Sequence, residues 1–278
     1  MSTTTHAPHA DRRTAPQFMA VMGHAVRDRL PVAGVAAVIV AGLAIMTGSL
    51  WPSLQETFAD LPESLADTLD TVLAGADLTT PAGWMNAETL SAVAPMAAIA
   101  VAVISVVRAV AGEEQGKTLG VLLSAPVSRT TFVLAKAAAM VVHVAVVVVG
   151  LAVGLVAGSW VGDLGLSGSG VIGACVHLGV LGVFFGGVAL LASAATGDRR
   201  LSSAISAGLA GLAFALSAFL PLSDALADGA RISPWYYFSH TNPLATGIDV
   251  SDVLVLVVGA ALMTGAAVVV HRRRDLRG

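Results

Sequence analysis

Residues 111–129 read AGEEQGKTLGVLLSAPVSR, and the sense of the Gly-Lys-Thr inside that run separates two kinds of protein. A phosphate-binding loop has the form G-x-x-x-x-G-K-[ST], because its glycines let backbone N–H groups curl around phosphate oxygens. Here Gly112 and Gly116 stand one residue too close, and Glu113 and Glu114 would set two carboxylates against those oxygens. The run is not a phosphate loop, and the chain around it says what it is instead.

On both sides the chain is apolar. Of its 278 residues 56% are hydrophobic and only 12% charged, with a mean hydropathy of +0.82. That composition belongs to the membrane class. A spanning helix needs about 20 mostly apolar residues, and six runs qualify: 31–50, 90–111, 131–158, 171–195, 201–222 and 253–270. The expected fold is all-α, a polytopic membrane protein with six transmembrane helices spread over residues 31–271.

Six spans put both termini on one side, and positive charge marks the cytosolic side. Fourteen of the fifteen Lys and Arg residues fall in the N-terminal segment, the 112–129 connection and its flanks, the connection at Arg199 and Arg200, and the tail; only Arg231 falls elsewhere. Cytosolic termini in a plasma membrane follow. Residues 1–13 are polar, lack the apolar core of a signal peptide, and read as a disordered cytosolic tail. Residues 14–30 carry a helical stripe of Phe18, Val21, Met22, Val26 and Leu30 beside Arg27 and Arg29, as expected of an interfacial helix that bends into the first span at Pro31. Residues 272–278 form a basic tail. The outward segments are acidic. The longest, 51–89, has a capping-box spacing from Ser53 to Glu56 and apolar residues at helical intervals, and so predicts amphipathic helices on the outer surface.

Ionisable groups inside a membrane are costly and are functional suspects by default. Arg108 and Lys136 lie near cytosolic ends, where long stems reach the headgroups. His143 and His177 lie in the third and fourth spans; each is either a neutral histidine bonded to a neighbouring helix or part of a substrate path. No Asp or Glu falls inside the six runs, which argues against a proton-coupled carrier. Cys175 is a lone cysteine in an apolar run and reads as a small buried hydrophobe. GLSGSG, 165–170, resembles the serine turn of rhomboid intramembrane proteases, but a serine nucleophile needs a positioned base and none is in view, so Ser167 is read as part of a turn and the chain as no enzyme. Gly150, Gly154 and Gly158 recur at four-residue steps. Such ridges let helix backbones approach closely in lipid, either within the subunit or at a dimer seam.

The 112–129 run then reads as an element of its own. Leu119, Leu122 and Leu123 make a short apolar face, Pro126 ends it, and Ser128 is placed to cap the third span. This is a short cytosolic helix between the second and third spans, with leucines turned to a docking partner.

At these residues the chain resembles the permease subunits of ABC type-2 transporters, whose cytosolic connection reads much like E-E-x-x-G-T-L-E-x-L-L-S-x-P-V-S-R with a lysine on the next span. Glu113, Glu114, Gly116, Thr118, Leu119, Leu122, Leu123, Pro126, Ser128, Arg129 and Lys136 match in order, while Lys117 and Gly120 depart from the pattern. The HRRRDL ending, 271–276, resembles the family's closing motif with His271 in place of an aromatic residue. The resemblance implies an exporter of hydrophobic or amphipathic substrates in which the short helix couples to a separate ATP-binding subunit. It also implies a second permease copy or paralogue. ATP and magnesium would sit on the partner, leaving no cofactor in this chain, which has no segment long enough for a nucleotide-binding domain. Membrane lipid is an expected partner and nucleic acid is not.

Overall fold

The computed structural model describes residues 14–59, 78–111 and 128–273. Among them there is no strand, and six helices are long and apolar enough to cross a membrane. The long helices are α1 (Thr14–Ala59), α2 (Val93–Ala109), α3 (Arg129–Val161), α4 (Gly168–Thr196), α5 (Arg199–Phe219) and α6 (Val250–Arg273). Their ends follow local chemistry. Ser128 Oγ accepts from Thr131 N (3.0 Å), Ser167 Oγ from Gly170 N (3.0 Å) and Asp198 Oδ1 from Leu201 N (2.9 Å), each filling a first-turn donor that the helix leaves bare. Gly197, at φ 61°, ends α4 in the left-handed conformation that glycine reaches without strain.

The central helix is α4, which packs against α2, α3, α5 and α6 and buries Leu178, Leu181, Phe185 and Leu190. The tightest contact lies elsewhere. A Cβ built on Gly150 would stand 2.5 Å from Ala37 O, on Gly154 2.7 Å from Ala41 Cα, and on Gly158 2.6 Å from Ala44 O; one on Gly162 would collide with Gly48 O. Both sets of numbers rise together, so α1 and α3 run parallel with their backbones touching. The glycine ridge of α3 thus meets a ridge of small residues on α1 within one subunit, which decides between the two sequence readings for these three glycines.

That seam also explains how α1 departs from expectation. Residues 14–30 are helical, but they are the first part of a helix of 46 residues and not a separate interfacial element. At about 1.5 Å per residue α1 is about 69 Å long, more than twice a hydrocarbon core. Pro31 and Pro52 both lie inside it. A proline removes one helical hydrogen bond, yet the helix runs on through both, and α3 contacts it on either side of Pro31, at Val26 and Ala37. Because α1 continues to Ala59, Ser53 is an interior residue and not a cap. The rest of the outer segment's helices, residues 60–77, lies outside the described residues.

The second span begins earlier than its apolar run. Thr80 Oγ1 caps a short helix, Pro81–Met85, by accepting from Gly83 N (3.1 Å); a π-helical turn, Asn86–Leu90, follows before α2. Trp84 Nε1 donates to Thr47 O (3.0 Å) and hooks this broken start onto α1. Elsewhere large apolar side chains face outward, among them Val38 (73% exposed) on α1, Leu212 on α5 and Leu262 on α6. Faces of that extent need acyl chains over them, so this is a membrane protein.

The seam makes a stability prediction. Gly154→Ala should lower the thermal unfolding temperature in detergent by the equivalent of about 1–3 kcal/mol, because backbone cannot retreat from the new methyl. Gly208→Ala, with nothing within 4 Å of its Cβ position, should be neutral or slightly stabilising.

Candidate functional site

The start of α1, the start of α3 and the end of α6 lie at one end of the bundle, the terminal end. The coupling residues Glu113, Glu114, Gly116, Thr118, Leu119, Leu122, Leu123 and Pro126 lie outside the described residues. Their flank is described: Ser128 caps α3 as the spacing predicts, and Arg129 is its first residue. One and two turns on, Phe132 and Lys136 are buried. The Lys136 ammonium lies 5.2 Å from the Phe132 ring centroid, and the His271 ring stacks with that of Phe132 at 6.0 Å and 19°. Lys136 is only 4% exposed, so it does not extend to the surface as its position near a helix end suggested; a ring face is a favourable place for a desolvated cation. His271 puts a planar ring at the place where α6 meets the start of α3. Arg108 is exposed, in keeping with its reading as a surface-reaching group.

The two histidines singled out from sequence do not meet. His143 Nε2 lies 3.0 Å from Val26 O on α1. A carbonyl only accepts, so Nε2 carries the proton and donates. Val26 is one residue before Arg27, whose carbonyl Pro31 leaves without a helical donor. His143 is therefore a strut between α3 and the first part of α1. His177, in α4, places Nδ1 2.9 Å from its own helix's Gly173 O, and its Nε2 is buried without a hydrogen bond. Ser167 is occupied as a helix cap and also lies 3.3 Å from Ser169 Oγ.

At the opposite, far end the structure assembles a site that hydropathy does not reveal. Gly170 and Gly173 let the backbone of residues 243–247 lie directly on α4; a Cβ on Gly173 would stand 2.5 Å from the carbonyl carbon of Gly247. This turn fixes Asn242, at φ 46°, and the short helix Tyr236–Ser239 before it. Asp249 Oδ1 accepts from the backbone N–H groups of Ser251 (2.9 Å) and Asp252 (3.2 Å), starting α6. The Ser251 hydroxyl bonds the same oxygen and, with those amides, holds the Asp249 carboxyl below the usual carboxylate range.

Asp252 follows in the first turn of α6 and is 5% exposed. The apolar run starting at residue 253 leaves it just outside that run; the helix begins at Val250, so Asp252 lies in its first turn, and the rest of α6 holds no carboxylate. Its Oδ2 lies 3.4 Å from His240 Nδ1, which donates instead to Tyr236 O (3.0 Å), and Oδ2 has no hydrogen bond. His177 is close enough to interact with it electrostatically. Tyr236 stacks on His240 at 4.1 Å. The pattern that could have exposed Asp252 is the Asp-x-x-Asp spacing, 249–252, in which the first carboxylate caps and the second falls inside the first helical turn.

Beside this cluster lies a cavity of about 440 Å³, bordered by the π-helical turn, the end of α5 and the 235–242 segment, with Phe214, Trp235, Tyr236, His240 and Asn242 on its wall. Trp235 is held there because Ser233 Oγ donates to Ala213 O on α5 (2.7 Å) and accepts from Trp235 N (3.0 Å).

A parallel glycine seam, six apolar spans and lipid-type outer faces, with an aromatic-walled cavity at one end of the bundle, define a polytopic membrane protein. Residues 21–272 match the family described as "Multidrug efflux system permease Rv1217c, C-terminal domain", and the chain belongs to that family of efflux permeases. No curated protein matches it.

Strut and substrate ligand make different demands on His143. His143→Ala should lower thermal stability by about 1–3 kcal/mol, since it empties a buried position between α3 and α1 and removes the bond to Val26 O, and His143→Gln, which keeps an N–H at that reach, should recover most of it. A substrate ligand would instead show lost transport at unchanged stability.

Proposed function

We propose that the chain is the membrane-spanning subunit of an ATP-driven ABC type-2 exporter that moves hydrophobic or amphipathic molecules out of the cell. The ATPase activity, with ATP and magnesium, belongs to a separate ATP-binding subunit that docks on residues 112–129. A second permease copy or paralogue completes the pathway. The permease itself catalyses no reaction. It sits in the plasma membrane with both termini in the cytosol, so the far-end cavity opens outward.

The observation that carries this reading is the ordered match from Glu113 to Arg129, placed between the end of α2 and the capped start of α3. Membership of a multidrug efflux permease family supports the export direction. The basic residues gathered toward the terminal end support the orientation. The Lys136–Phe132–His271 stack supports the coupling, because a push on the segment before Arg129 reaches α6 through packed rings as well as α3 directly. Shifting a two-state bundle from mostly one form to mostly the other takes about 5.5 kcal/mol, within reach of two nucleotide sites.

Asp252 favours a second reading, a proton-coupled carrier independent of ATP, because a buried carboxylate beside two histidines is a group such carriers use. Its place in the first turn of α6, at one end of the bundle, is less suited to a relay across the membrane. The two readings separate experimentally. Replacing Leu122 and Leu123 with Asp should abolish co-purification of an ATP-binding subunit and vanadate-sensitive efflux while leaving the permease folded. Full retention of both, or efflux stopped by a protonophore at constant ATP, would overturn the exporter proposed here.

A further inference from the structure

The far-end cavity has a definite chemical character. Its wall carries three aromatic rings, Phe214, Trp235 and Tyr236, and no Lys or Arg. The buried polar atoms around it that lack hydrogen bonds include Asn242 Oδ1 on the wall and Asp252 Oδ2 behind His240. His177 Nε2 joins them, since its ring proton is committed through Nδ1 to Gly173 O. All three are acceptors. Asp249 stands beside Asp252 and adds the same sign. Arg231, the one basic residue in the 220–249 connection, is exposed and lies 3.6 Å from Asp228.

We propose that this cavity is a binding site for an amphipathic organic cation, its apolar body held among Phe214, Trp235 and Tyr236 and its charge drawn by the Asp252 carboxylate behind His240. Size, aromatic walls and electrostatics agree. A volume of about 440 Å³ falls in the range of small-molecule sites, roughly 300–1,000 Å³. Aromatic faces attract cations through their quadrupoles and give apolar area to the remainder of the ligand. A buried carboxylate oxygen without a donor gains most from a positive partner, whereas an anion would meet like charge. The three His and Asp side chains do not form a metal site: among the described residues no group of three His, Cys, Asp or Glu has the arrangement to hold a metal ion. The proposal deepens the export reading by giving the sign of the cargo's charge and a place where cargo is held, and it rests on that reading only for the word cargo.

The test uses two ions of nearly the same shape and opposite charge. Full-length permease in lipid nanodiscs is titrated with tetraphenylphosphonium and, separately, with tetraphenylborate, subtracting partitioning into protein-free nanodiscs. Saturable binding is expected for the cation only. Asp252→Asn should weaken it roughly ten-fold, the order expected from losing one buried charge while the rings stay in place. Ser217→Trp, which fills the cavity from the α5 wall without touching Asp252, should abolish it and serves if the Asp252 variant does not fold. Saturable tetraphenylborate binding of equal strength, or cation binding untouched by Ser217→Trp, would overturn the site. The measurement needs neither ATP nor the partner subunit, so its failure and failure of subunit docking are separate results.

Discussion

The structure depends on backbone meeting backbone along the α1–α3 seam. In lipid, helices gain little from hiding apolar surface, because acyl chains are as apolar as leucine. What holds two helices is close van der Waals contact, and closeness needs side chains that do not intervene. Gly150, Gly154 and Gly158 on α3 and Gly162 at its end, facing Ala37, Ala41, Ala44 and Gly48 on α1, meet that condition over about three turns. Once α1 is pinned, other features gain a fixed support. His143 reaches the Val26 carbonyl, Trp84 reaches the Thr47 carbonyl, and a helix with two prolines stays continuous.

The two ends of the bundle have been given different chemistry. At the terminal end a buried cation, a phenyl ring and an imidazole link the start of α3 to the end of α6. That arrangement joins α3 to the last helix. At the far end the same last helix begins with Asp252, beside His240 and the aromatic cavity. A displacement of α6 along or about its axis would thus act on both ends at once. In the exporter proposed above, this is a physical route from a cytosolic motor to an outward-facing cavity that needs no chain of special residues through the membrane.

Much of this was legible in one dimension. Hydropathy located the six spans, because twenty apolar residues in a row have few other uses. Helix starts were legible where a short polar side chain precedes an apolar run, as at Ser128. The 111–129 run could be rejected as a phosphate site from glycine spacing and carboxylates alone. Each of these follows from local covalent chemistry, which neighbours in space do not change.

Depth and partnership were not legible, since both depend on what folds against a residue. The glycine ridge fitted a subunit seam or a dimer seam equally until α1 was seen lying in it. Lys136 looked like a surface-reaching cation until Phe132 and its neighbours enclosed it. Asp252 fell outside the apolar run by one residue, and only the 243–247 turn resting on Gly170 and Gly173 brings that carboxylate beside His240 and out of solvent. Sequence by itself determined how many helices cross the membrane and how several of them begin, because those are short-range properties. Tertiary structure alone decided which small residues touch, which charges are buried and where a cavity forms, because these are set by distances between residues far apart in the chain.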